Sequence, residues 1–130
     1  MATFVVDGGL DITTNRLRGA GTEPLNVGWG TGAGTTTRAD TTLFTEALVT
    51  LAAGSTDRTA GTSSRVTTNT TNDTYQVVAT RTATGAGTVT NAGLWDATTG
   101  GNLFLKGDFT GIGLAANDSI TFTIKAIFDN

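Results

Sequence analysis

Apolar and polar residues alternate strictly through the C-terminal half of the chain. Ile120, Phe122, Ile124, Ala126 and Phe128 fall on one side of an extended backbone, with Ser119, Thr121, Thr123 and Lys125 on the other. Successive side chains of a strand project to opposite faces, so a period of two describes a strand with one face against a core. Tyr75, Val77 and Ala79 alternate in the same way with Gln76 and Thr80. Leu103, Leu105 and Phe109 share a side with Gly107, while Lys106 and Asp108 point away.

Turn chemistry punctuates these runs. Thr84-Gly85-Ala86-Gly87 separates a strand at 73–83 from one at 87–97, Thr98-Thr99-Gly100-Gly101 separates that from 102–110, and Asn117-Asp118 precedes the last. Glycine supplies the positive φ that tight turns need, and Asn and Asp bond their own backbone there. Strands about ten residues apart with Gly-rich turns, and no stretch suited to a crossover helix, predict an all-β chain. The expected architecture is a single β-sandwich, jelly-roll or immunoglobulin-like, with no helix longer than about two turns. Its core should include Leu94, Leu103, Leu105, Phe109, Ile120, Phe122 and Ile124.

The N-terminal third is less regular. Leu25, Val27 and Trp29 alternate and form a strand that runs into Gly28-Trp29-Gly30-Thr31-Gly32-Ala33-Gly34, with an exposed loop at 35–42. In 40–52, Leu43, Phe44, Ala47, Leu48 and Leu51 fit a helical face capped by Asp40, whereas Leu43, Ala47, Val49 and Leu51 fit a strand. The reading adopted is a short helical turn near 41–47 entering a strand. Residues 1–22 are read as an N-terminal arm or the first strands, and 23–130 as the sandwich domain.

Composition removes whole classes of chemistry. The chain has no cysteine and no histidine, so disulfides, thiol nucleophiles, thiolate metal sites and the commonest general base are absent. No enzyme activity, cofactor or metal is expected. A net charge of -3, with the basic residues scattered singly, lacks the clustered basic footprint of a nucleic-acid binder. Met1-Ala2-Thr3-Phe4 does not open a secretory signal, and no apolar run approaches a membrane span, so no membrane partner is expected. Threonine makes up nearly a quarter of the residues, while only 15% are charged. Such a neutral surface costs little to desolvate and suits a chain that lives in contact with others.

Several motifs invite sharper readings. The glycines at 28–34 fit neither dinucleotide nor phosphate-loop spacing, because Thr35 stands where the first needs glycine and no Gly-Lys-Ser/Thr ending follows. They are read as a flexible loop. Asp73, Asp96, Asp108 and Asp118 lie at or near strand ends and could meet at one edge, but they lack regular calcium-loop spacing. Turn-forming Asp residues that bond local amides are the expectation. Asn69-Thr70-Thr71 and Asn72-Asp73-Thr74 match the glycosylation pattern by chance in a Thr- and Asn-rich loop. Trp29 and Trp95 are expected in core or interface packing, each N–H with an acceptor. Leu94 and Trp95 point to opposite faces of one strand, so one should face something other than the domain's own core.

Thr88-Val89-Thr90-Asn91-Ala92-Gly93-Leu94-Trp95-Asp96, then Gly100 to Phe109, then Leu114 to Thr123, form an ordered set. It resembles the C-terminal half of small structural proteins of tailed phages, in which an Ala-Gly-Leu-Phe-Asp strand precedes a Gly-Asp-Ser-Ile strand. Trp95 stands where Phe is usual, and Asn117 where Gly is usual. Val27 to Gly32 and Asp40 to Glu46 look like the opening of the same group. The resemblance covers most of 25–128 and implies a virion location, reached by assembly in the host cytoplasm. It implies a capsid decoration (cement) protein, a homotrimer bridging copies of the major capsid protein. The alternative is a tail, fibre or baseplate component, with a receptor- or carbohydrate-binding role in reach. It carries over no catalytic residues.

Overall fold

The structure, a computed structural model, describes residues 3–129. Its elements in chain order are β1 (Thr3–Val5), α1 (Asp7–Leu17), β2 (Asn26–Gly30), β3 (Glu46–Ala47), β4 (Thr59–Ala60), β5 (Thr62–Val66), β6 (Thr74–Thr82), β7 (Gly87–Trp95), β8 (Leu103–Leu114) and β9 (Ser119–Ile127). All strand pairs are antiparallel. One sheet runs β1-β8-β7-β2-β3 with β4 also on β2, and the other runs β5-β6-β9. The two pack face to face as a β-sandwich, the fold class that the alternation and turn spacing predict.

The four C-terminal strands are nested: β7 pairs with β8 in one sheet, and β6 pairs with β9 in the other. The connections cross between the sheets side by side, with Ala83 donating to the Asp118 carbonyl and Asn117 donating to the Ala83 carbonyl. This crossing needs a left-handed residue, and Asn117 takes φ 74°. Asn is the side chain that best tolerates that region after glycine. Its presence where the resembling sequences carry Gly therefore preserves the turn.

A β-bulge changes which side chains of β8 face inward. Leu94 opposes Leu105 and Trp95 opposes Leu103, so Phe104 is the extra residue. Phe104 and Leu105 both enter the main core, while Leu103 joins a second cluster with Val6, Leu43 and Trp95. Leu103 and Leu105 thus do not share a face as simple alternation predicts. Leu94 and Phe122 are buried in the main core, with Phe109, Ile120 and Ile124 packed partly buried against it.

The second cluster corrects the expectation for β7. Leu94 and Trp95 do point to opposite sides, yet both are buried within the domain, at 1% and 4% exposure. Residues 31–45 fold back over the outer face of β2 and β7 as a third layer, with Leu43 against Gly28 and Gly93 and Phe44 against Gly30, while β3 and β4 pair with β2 in the sheet itself. This is also why all five residues of β2 are buried. The glycines at 28–34 are not a flexible loop. A Cβ on Gly28 would strike the Glu46 carboxylate at 2.7 Å, and one on Gly30 would strike the Phe44 carbonyl. Glycine lets the covering segment lie directly on the sheet. The expected helical turn at 41–47 is absent, and a turn at 44–45 leads directly into β3.

Of the expected N-terminal arm or first strands at 1–22, residues 1 and 2 lie outside the described residues, and 3–22 hold more than strands. Beyond the short β1, paired to Gly107, Lys106 and Leu105, the 11-residue α1 spans about three turns. That exceeds the two-turn limit expected. Gly8, Gly9, Thr13 and Thr14 are weak helix formers, and no side chain caps the N-terminus. Packing holds the helix instead: Ile12 enters the core, and Gly9 lies against the Phe104 carbonyl, where a Cβ would clash. Asp7 in the first turn and Arg16 in the last complement the helix dipole.

Candidate functional site

Of the four Asp residues, Asp73, Asp96 and Asp118 each bond their own loop. Asp73 accepts from the amides of Thr68, Asn69 and Thr70, at 2.9, 2.9 and 2.8 Å. The Thr70 amide, with those of Thr68 and Asn69, holds its carboxyl far below the usual carboxylate range. Asp96 accepts from the Asn102 amide and Asp118 from the Ala115 amide. Asp108 is different: it lies within β8 and accepts from the Thr36 amide, which ties down the covering segment. No group of three or more metal-ligating side chains is gathered among the described residues.

Arg58, Arg81 and Lys106 centre three clusters in which the cation is buried. Each joins a cation, a carboxylate and an aromatic ring. Arg58 places its guanidinium carbon 3.6 Å over the Trp95 ring. It also makes a two-pronged pair with Glu46 at 2.6 and 2.9 Å, and donates to the Ala97 and Gly100 carbonyls. Arg81, on the inward face of β6, lies 4.6 Å over Trp29, pairs with Asp57 at 3.1 Å and donates to the Val27 carbonyl. Burial pulls its guanidinium below the ordinary value, against the Asp57 hydrogen bond and charge. Lys106 places Nζ 3.2 Å over the Phe44 ring and 2.8 Å from Asp40. For Asp40, burial raises the carboxyl, but hydrogen bonds from Lys106 and Thr37 outweigh it and leave it below the ordinary value.

In every cluster the carboxylate comes from residues 40–57; Arg81 and Lys106 bond it to β6 and β8, whereas the Arg58–Glu46 pair joins two parts of the same stretch and meets β7 through the stacking of Arg58 on Trp95. Desolvated ion pairs are strong only when well bonded, and the carbonyls and rings here supply the further partners. Their chemistry is spent on holding residues 40–58 against the strands. Sequence reading missed them because Arg58, Arg81 and Lys106 carry no local pattern. One signal was available: Arg81 continues the inward series Tyr75, Val77 and Ala79 of β6, where a charge needs a partner. Of the two tryptophans, Trp29 donates to the Leu48 carbonyl, whereas the buried Trp95 N–H has no partner and its ring stacks under Arg58.

The outer surface offers two apolar depressions. A groove of about 380 Å³ lies between α1, the loop after it and β6, lined by Ile12, Leu17, Pro24, Tyr75, Phe104 and Phe128. Its rim holds Leu17 and Phe128, 83% and 57% exposed. Tyr75 Oη donates to the Pro24 carbonyl at 2.9 Å, and burial, aided by the Glu23 charge, pushes its phenol well above the usual range. A smaller cleft of about 190 Å³ opens between β8 and β9, with Leu105, Phe109, Phe122 and Ile124 on its walls. Beside it β9, nine residues long, is an edge strand with no partner on its outer side among the described residues.

A rigid sandwich with apolar depressions and an open strand edge has the make-up of a structural module in a larger assembly. A family model described as Podophage GP4 fiber I protein gp80 matches residues 13–128. The chain belongs to that family and is a phage structural protein associated with the virion. No curated protein and no solved structure matches it significantly.

Proposed function

We infer that the chain is a structural component of a phage fibre, acting by binding its neighbours and not by turnover. The family match carries this reading, and it favours the tail or fibre alternative over capsid decoration. The architecture supports it. A fibre subunit must keep its shape under load, and the Lys106–Asp40 and Arg81–Asp57 pairs, with Arg58 stacked on Trp95, hold residues 40–58 against β8, β6 and β7. The groove rimmed by Leu17 and Phe128 and the unpaired edge of β9 are the surfaces proposed for contact with further copies and with adjoining virion proteins. Exposed apolar clusters and open edges are where β-proteins associate.

The test is the copy number and position of the protein in purified particles. Quantitative mass spectrometry should find at most a few tens of copies, and antibody labelling should fall on fibres. Hundreds of copies spread over the shell would establish capsid decoration instead. For self-association, light scattering on the purified protein should give an oligomer that Leu17→Asp combined with Phe128→Asp dissociates. A folded wild-type monomer at high concentration would remove that part of the reading.

A further inference from the structure

Lys106 is the least expected side chain in the molecule. It sits in β8 within the six-stranded sheet, is 0% exposed, and its amine has one carboxylate and one aromatic face for company. An apolar pair would hold the two segments at least as well, since desolvating an ion pair cancels much of its attraction. What the arrangement does supply is reactive geometry. Nζ lies 2.8 Å from Asp40 Oδ2, under a ring that keeps bulk water from the amine, while the carboxylate side chain retains 19% exposure. Asp108 follows two residues along on the same face of β8, bonded through the Thr36 amide to the segment that delivers Asp40.

We propose that Lys106 and Asp40 condense into an intramolecular isopeptide bond that welds the covering segment to β8. The ammonium passes one proton to the carboxylate across their hydrogen bond, giving a neutral amine and a carboxylic acid as the reactive minority form of the pair. The amine lone pair attacks Asp40 Cγ and the C–N bond forms. Asp108 relays a proton from nitrogen to the departing hydroxyl, the C–O bond breaks, and water leaves by the exposed side of Asp40. One ammonium and one carboxylate become one amide and one water, so neither oxidant nor activating group is consumed. The bond joins positions 66 residues apart in the chain. It converts a contact that can open into one that cannot, which suits a particle exposed to force and dilution.

Intact mass spectrometry of the purified full-length protein decides the matter. Wild type should be lighter than its sequence mass by one water, and a digest should contain a branched peptide joining the Asp40 and Lys106 segments. Lys106→Arg keeps the charge but cannot condense, and should show the full sequence mass with a native circular dichroism spectrum. Asp108→Asn should slow the loss of water several-fold; an unchanged rate removes Asp108 from the step. Cyclisation at Asp7-Gly8 also sheds a water. A deficit that persists in Lys106→Arg and maps to that dipeptide overturns the proposal. So does a wild-type protein that keeps its full mass after days at neutral pH.

Discussion

Arg58 lies between Trp95 and Glu46 with almost no contact with water, and this decides how each partner responds to change. Glu46→Gln leaves the guanidinium buried without its counter-charge and should cost roughly 3–5 kcal/mol in chemical denaturation. Arg58→Met together with Glu46→Leu removes both charges and should recover most of that loss. Phe122 presents its edge to Trp29 at 6.4 Å between ring centroids and is 9% exposed. Phe122→Ala should therefore cost roughly 3–5 kcal/mol, measured in the same way. Asp73 sets the acid limit. Its folded-state carboxyl titrates far below the ordinary 3.8, so the unfolded chain binds the proton first on acidification. Its contribution is complete above about pH 4 and fades as pH falls further. Melting temperature followed from pH 6 to 2 should drop below about pH 4, and less steeply in Asp73→Asn.

Among the elements, β2 depends most on its glycines. Gly30→Ala places a methyl group against the Phe44 carbonyl and the Asn91 side chain, so the covering segment must lift. A loss of about 1–3 kcal/mol is expected. Gly113→Ala, near the end of β8, meets nothing within 4 Å and should stay within about 0.5 kcal/mol of wild type. Thermal melts of the two variants side by side separate close approach from a general dislike of alanine. The helix α1 makes the complementary point. Its sequence has poor propensity and a single core residue, Ile12, so nothing local marked it as helical. It forms because β8 presents the Phe104 backbone for Gly9 to lie on, and the core beside it takes up Ile12.

For the whole molecule, the N-terminal residues belong to the domain that they cover. Deleting 1–22 removes β1 from the edge of β8 and Ile12 from the core, and uncovers Phe104 and Tyr75 in the groove. The truncated protein should lose at least about 2 kcal/mol in denaturation, the cost of an apolar core residue alone. Much of this architecture was legible in the chain. The alternation around Val77, Leu94 and Phe122 and the Gly, Asn and Asp turns specify strands, their approximate bounds and a two-sided core, because those signals act between near neighbours. Asp73, Asp96 and Asp118 were likewise readable as turn formers, since they bond amides three to six residues away. The third layer was not readable. Arg58 meets Trp95, Lys106 meets Asp40 and Gly30 meets Phe44 only after the chain between β2 and β5 folds back on the sheet. Lysine or arginine on the polar side of a strand looks like a solvated residue until another segment covers it. Local periodicity therefore determined which residues make strands, and long-range packing alone decided which charges are buried and which faces remain free for partners.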